Sequence, residues 1–177
     1  MHMRKIIKDK TIVDDHWSVF KLSEGDAPDT VAVPAGHQIV PLRVWLAQKT
    51  ALCAREDIGV WLASDERPEQ LSEDVAALSL IAVDFPAFSD GRGYSIAFNL
   101  RSRLGFEGEI RAIGDVLRDQ LFYMQRVGFN AFATREDRSI EDALKGLTDF
   151  SEAYQTSWDQ KSPLFRRMTR PAAQDLP

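Results

Sequence analysis

Leu80-Ile-Ala-Val-Asp-Phe-Pro-Ala-Phe-Ser-Asp-Gly-Arg-Gly-Tyr-Ser-Ile-Ala97 is the stretch that decides the fold. Leu80 to Val83 is a short apolar run, the pattern of a strand buried on both faces. Pro86, Ser89, Asp90, Gly91 and Gly93 then break the run, and Ile96, Ala97, Leu100 and Leu104 resume at helical spacing. Strand, loop and helix in that order form a βα unit, and the order recurs on both sides. Ile58 to Ala63 precedes a short helix expected from about Pro68 to Leu78. Ile110 to Ile113 precedes Leu117, Leu121, Met124 and Gly128, and Ala131 to Thr134 precedes Ile140, Ala143, Leu144, Leu147 and Tyr154. About four consecutive βα units predict an α/β domain over 41–160 with a parallel sheet, either open or half-barrel-like. For the half-barrel form, a homodimer that covers an exposed edge is the expectation.

Upstream of this series, residues 1–40 have a different texture. Lys5 to Lys8, Thr11 to Val13 and Trp17 to Phe20 are β-like runs separated by the charged turns Asp9-Lys10 and Asp14-Asp15. They predict a small antiparallel β cap. Pro41 suits the first turn of a helix carrying Leu42, Trp45, Leu46, Leu52 and Cys53 on one stripe. Ser139-x-x-Asp142 reads as a capping box. Leu104-Gly-Phe106 and Val127-Gly-Phe129 place Gly where helices stop, with an apolar residue to fold back. Residues 161–177 read as a flexible basic tail.

Composition excludes whole classes of function. The 177 residues carry 22 basic and 27 acidic side chains, a net charge of −5, which argues against a general nucleic-acid binder. No window reaches the roughly 18 apolar residues of a membrane span, and the first residues lack a secretory apolar run. Together with the single cysteine, Cys53, this points to a reducing, cytoplasmic setting. Cys53 lies in an apolar stretch and is expected to be inert packing. His2, His16 and His37 have no ligand spacing, so no metal site is expected. No histidine follows residue 37, which removes a histidine-based hydrolase.

In parallel α/β sheets the working surface lies beyond the carboxyl ends of the strands. Three loops meet that rule here. The first holds Asp84, Ser89, Asp90, Gly91, Arg92, Gly93 and Tyr94; the second holds Asp115, Arg118 and Asp119; the third holds Arg135. Two glycines and an arginine at a helix entrance fit a cradle for a small oxyanion or phosphate. The bland alternative is a turn in which Asp90 caps the helix. No P-loop and no complete dinucleotide fingerprint is present. Asp84 fits a general base or a metal ligand, with an ion pair to Arg92 as its structural use. Asp115 reads equally as an N-cap, and with Arg118 and Asp119 as a local salt-bridge lattice.

The block from Val83 to Ser95, with Leu100-Arg101, Leu104-Gly-Phe106, Gly114-Asp-Val-Leu-Arg-Asp-Gln-Leu121 and Gly128-Phe129, resembles an uncharacterised bacterial family. It is a domain-of-unknown-function group whose members are often encoded beside assimilatory sulfite reductase, and some carry the label of probable oxidoreductase. The resemblance implies a role in sulfate assimilation for cysteine synthesis, with sulfite reductase or its electron donor as partner. No flavin, nicotinamide, haem or iron–sulfur ligand set is visible, so no cofactor is expected. Two readings stand: a non-catalytic accessory protein acting by contact, and a small enzyme or sensor that binds an oxyanion-bearing metabolite around Arg92.

Overall fold

A computed structural model describes residues 4–167. Lys5–Lys8 (β1) and Thr11–Asp14 (β2) form an antiparallel hairpin. Its two-residue turn places Asp9 and Lys10 at φ 47° and 64°, the left-handed pair that matches strand twist in tight hairpins. Ser18–Val19 (β3) follows almost at once, and then a long loop leads to Gln38–Pro41 (β4). The α/β series runs Leu42–Leu52 (α1), Ile58–Leu62 (β5), two 3₁₀ turns, Leu80–Phe85 (β6), Arg92–Ser102 (α2), Glu109–Gly114 (β7), Arg118–Val127 (α3), Ala131–Phe132 (β8) and Ile140–Lys145 (α4). A final turn of helix spans Leu164–Arg167 (α5). The remainder of the expected tail, 168–177, lies outside the described residues.

All eight strands form one sheet in the order β2-β1-β8-β7-β6-β5-β4-β3. Strands β3 to β8 run parallel, whereas β1 pairs antiparallel with both β2 and β8. The sheet is therefore mixed, which corrects the expectation of a purely parallel one. The antiparallel hairpin does form as expected, but it extends the edge at β8. Trp17–Phe20, read as part of the antiparallel group, instead contributes β3, parallel to β4 at the opposite edge. Strand β4 was hidden because only four residues, ending in Pro41, separate a polar loop from the helix. It starts the series one strand earlier.

Chain connectivity dictates the shape. Eight strands about 4.8 Å apart would put the edges of a flat sheet roughly 34 Å from each other. Yet Asp14 ends β2 and Ser18 begins β3, so their Cα atoms lie within about 15 Å. The sheet curls until its edges face each other, giving an open half-barrel.

Alternation along the strands sorts the core accordingly. Ile81, Val83, Phe85, Ile110 and Ala112 point outward and pack with Trp45, Ile96, Leu100, Leu121 and Met124 from α1, α2 and α3. Ile6, Ile39, Leu80, Ala82, Ile113 and Ala133 point inward, with Trp17 and Trp61 packed against them. Inside the curl, Arg111 binds Asp15 at 2.9 Å and Glu109 at 2.7 Å, and Lys8 reaches Glu109 at 2.7 Å. Asp15 sits in the corner between β2 and β3, so this buried pair ties the sheet centre to the closure.

The helix stops form as the residues suggest, and of the expected capping box the Ser139 half is present while Asp142 binds Arg118 instead. Ser139 Oγ accepts from Asp142 N–H at 3.1 Å. Phe106 N–H donates to Leu100 and Phe129 N–H to Met124, closing α2 and α3 behind Gly105 and Gly128. Cys53 departs from its expectation: it is exposed, because α1 ends there and turns the side chain outward.

Candidate functional site at the carboxyl ends of the strands

Strands β5 to β8 deliver their following loops to one rim. Asp84 lies on the inward face at the end of β6, in register with Ala82 and Leu80. It is half-buried, and burial pushes its carboxyl pKa up, against the opposing pull of Lys21. A Cβ on Gly114 would come within 2.7 Å of Asp84 Oδ1 and 2.4 Å of the Phe85 carbonyl. Gly114 also sits at φ 92°, so the neighbouring strand end admits only glycine without strain.

The expected Asp84–Arg92 pair does not form. Arg92 instead grips Asp90 with two bonds, Nε to Oδ1 at 2.9 Å and Nη2 to Oδ2 at 2.7 Å. Asp90 Oδ1 also accepts from Arg92 N–H at 3.1 Å, an arrangement possible only two residues apart. Arg92 and then the Ser64 hydroxyl hold the Asp90 carboxyl well below the usual carboxylate range. A Cβ on Gly91 would only touch the Tyr94 ring at 3.9 Å, whereas one on Gly93 would strike the Phe85 ring at 2.6 Å. Gly93 is thus small so that α2 can lie on Phe85. Ser89 is exposed on the same loop.

The second and third loops are cross-tied. Asp115 accepts from Phe88 N–H at 2.9 Å and from Arg135 at 3.1 Å, while Arg135 also clamps Asp137. Asp115 does not cap α3; the helix begins at Arg118, and Gln120 Oε1 accepts from Leu117 N–H at 3.0 Å. Arg118 leaves the expected local lattice and binds Asp142 and Asp149 at 3.0 and 2.9 Å, joining α3 to α4 and its extension. With exposed Asp119 it lines a separate cavity of about 260 Å³ that also includes Thr134 and Ser139. The structure therefore brings Asp84, Asp90 and Arg92 onto one rim segment, Asp115 and Arg135 onto the next, and Arg118 and Asp119 onto the outer flank.

Two participants escaped the sequence reading. Ser64 is buried and helps lower the Asp90 carboxyl pKa, and Glu66 accepts from Ala63 N–H at 2.7 Å with its pKa raised by burial. Both follow β5, and the strand-end rule applied to Ile58–Leu62 would have selected them. The rim also carries apolar surface. Phe88 and Tyr123 are 48% and 53% exposed, and Tyr94 packs between Phe85 and Tyr123 with ring centroids 5.4 and 5.1 Å away. Among the described residues no group of three or more His, Cys, Asp or Glu is placed to hold a metal ion, and no helix is long and apolar enough to cross a membrane.

Fold and rim together define a small α/β half-barrel whose strand-end arginines are neutralised by neighbouring carboxylates and whose rim exposes aromatic rings. The chain belongs to the DUF934 family, bacterial proteins of unknown function, whose model matches residues 59–165. Comparison with curated proteins and with solved structures gives no match.

Proposed function

We propose that this protein is a non-catalytic accessory of assimilatory sulfite reduction in the cytoplasm, acting by contact with sulfite reductase or its electron donor. The metabolic setting rests on the family resemblance described above. The observation that supports a contact role is the rim itself: Arg92, Arg118 and Arg135 are all tied to carboxylates, while Phe88 and Tyr123 stand exposed beside them. Exposed aromatic rings with a polar border are the composition of a recognition patch. A homodimer belongs to the same reading.

Capture of purified reductase components on the immobilised full chain tests it. The wild type should retain a component, and a Phe88→Ser/Tyr123→Ser double variant should lose it while keeping its melting temperature. The proposal fails if no component is retained and a deletion strain grows normally on sulfate.

One observation favours the second reading, an oxyanion-binding enzyme or sensor. Asp84 is a half-buried carboxylate with raised pKa near the Asp90–Arg92 pair, a setting suited to proton transfer. Thermal-shift titration with sulfite, sulfate, phosphate and adenylyl sulfate separates the two. A shift lost in Arg92→Ala supports the second reading; no shift, or an equal shift in the variant, rejects it.

A further inference from the structure

The aromatic rings beside the rim stand in an environment of predominantly one charge. The segments 63–67, 84–92, 114–119 and 134–142, at the carboxyl ends of β5 to β8, carry ten carboxylates against five arginines. Three of those arginines are tied inside the rim: Arg92 to Asp90, Arg118 to Asp142 and Asp149, and Arg135 to Asp115 and Asp137. Arg138 borders the same cavity as Asp119 but lies against Asp137, at 3.9 Å. Asp90 and Asp115 are thus held by arginines, whereas Asp119 is exposed and makes no ion pair among the described residues.

That unpaired carboxylate borders the rings. Asp119 and Tyr123 lie one turn apart on α3, so their side chains share a face. Tyr94, in the first turn of α2, packs on Tyr123 with centroids 5.1 Å apart and planes at 59°. Burial pushes the Tyr94 hydroxyl pKa up, a hydrogen bond with Gln120 opposes, and the Asp119 charge adds to the rise, so Asp119 acts on the ring pair through space. Phe88 is fixed beside them: its N–H donates to Asp115 at 2.9 Å, and its carbonyl accepts from Gln120 Nε2 at 3.2 Å. Electron-rich ring faces bordered by a free carboxylate attract a cation. Phe88 and Tyr123 are each about half exposed and offer on the order of 200 Å². A stable dimer needs roughly 800 Å² from each partner, so the rings suit a guest the size of a side chain.

We propose that this platform receives an exposed arginine or lysine side chain of the partner protein, its cationic head over Tyr94, Tyr123 and Phe88 and paired with Asp119. The inference names the partner's chemistry and rests on the accessory reading. The acidic balance of the surrounding loops draws a basic surface and repels an acidic one.

NMR titration of the full chain with acetyl-tetraarginine amide tests it, with acetyl-tetraglutamate amide as the opposite charge. Tetraarginine should shift the Tyr94, Tyr123 and Phe88 ring signals and the Asp119 amide saturably, and tetraglutamate should not. Asp119→Asn and Tyr123→Leu should each weaken binding at least about threefold, as loss of an exposed charge or cation–π contact does. Asp119→Asn should keep the melting temperature, because Asp119 has no ion pair to lose. Glu107→Gln, which removes an exposed carboxylate in the turn that enters β7, should bind as the wild type does. Absence of saturable shifts at the rings, or binding unchanged in both Asp119→Asn and Tyr123→Leu, overturns the proposal. Sedimentation showing a dimer that Tyr123→Ser dissociates would assign the rings to a second copy and overturn it too. Capture of reductase components separates this inference from the reading beneath it. A component retained equally by wild type and Asp119→Lys keeps the accessory reading and overturns the cation platform. Tetraarginine bound at the rings with no component retained supports the platform and rejects the accessory reading.

Discussion

Replacing Arg111 with alanine should unfold the protein more readily than breaking any arginine–carboxylate pair on its rim. The Arg111, Asp15 and Glu109 side chains are 3%, 4% and 6% exposed, so the ion pair is withdrawn from water on both sides. Glu109 would keep Lys8 at 2.7 Å, whereas Asp15 would keep only the Trp17 N–H at 3.1 Å. Stranding a buried charge by deleting its partner costs about 3–5 kcal/mol. For a urea slope of about 1.5–3 kcal/mol/M, that is a fall in midpoint of roughly 1–3 M. The loss should be local as well as global, because Asp15 sits on the corner that brings β2 to β3. Amide exchange at Ser18 and Phe20, whose N–H groups donate to the His37 and Ile39 carbonyls, should therefore accelerate in the variant more than exchange within α3. A double-mutant cycle with Arg111→Met and Asp15→Asn should give a coupling of at least about 1 kcal/mol. A loss under about 1 kcal/mol in Arg111→Ala, or additivity within roughly 0.5 kcal/mol in the cycle, would refute the view that this pair holds the curl.

Asp84 has its pKa raised from 3.8 by burial, so the folded chain binds its proton more readily than the unfolded one; Asp84→Asn should raise the melting temperature at pH 7, and the gain should vanish as pH falls below the unfolded value. A loss at pH 7 would mean that the carboxylate has a stabilising partner. Gly25→Ala, at φ 93° in open space, should cost about 1–2 kcal/mol, whereas Gly114→Ala, at φ 92° with the Phe85 carbonyl 2.4 Å from the new Cβ, should cost about 2–5 kcal/mol by thermal denaturation. Cys53 is exposed, so a disulfide reagent should label it in the native state at a rate near that of the urea-unfolded chain.

The βα rhythm was legible from β6 onward because each strand is an apolar run and each helix carries a 3.6-residue stripe, whereas the helix expected over about Pro68–Leu78 is two 3₁₀ turns, Pro68–Leu71 and Val75–Ala77. What escaped has physical causes. Strand β4 is four residues long and ends in a proline that reads as a helix start. Strand β3 pairs over two residues, too few to show alternation. The interior charges were invisible because Arg111 and Asp15 meet across 96 residues, a separation set by the curl. The loops selected by the rule about strand ends do lie along one rim, and the partners within them were decided by reach. Arg92 bonds Asp90 because two residues separate them, while Asp84, pointing into the curl, is left aside.

The two ends of the sheet treat positive charge in opposite ways, and salt distinguishes them. On the rim, Arg92, Arg118 and Arg135 are 60%, 42% and 41% exposed and each faces a carboxylate. Such pairs are weak and screened, so an anion that competes for Arg92 does so in water and loses affinity steeply as salt rises. Arg101 is withdrawn from solvent and its field is met by carbonyl dipoles. Screening over a Debye length of about 10 Å at 0.1 M acts little on a buried site. Any sulfite- or phosphate-induced shift at the rim should therefore disappear between roughly 0.05 and 0.5 M NaCl. A rim shift that persists through that range would place the bound anion out of reach of screening, contrary to the exposure of Arg92, Arg118 and Arg135.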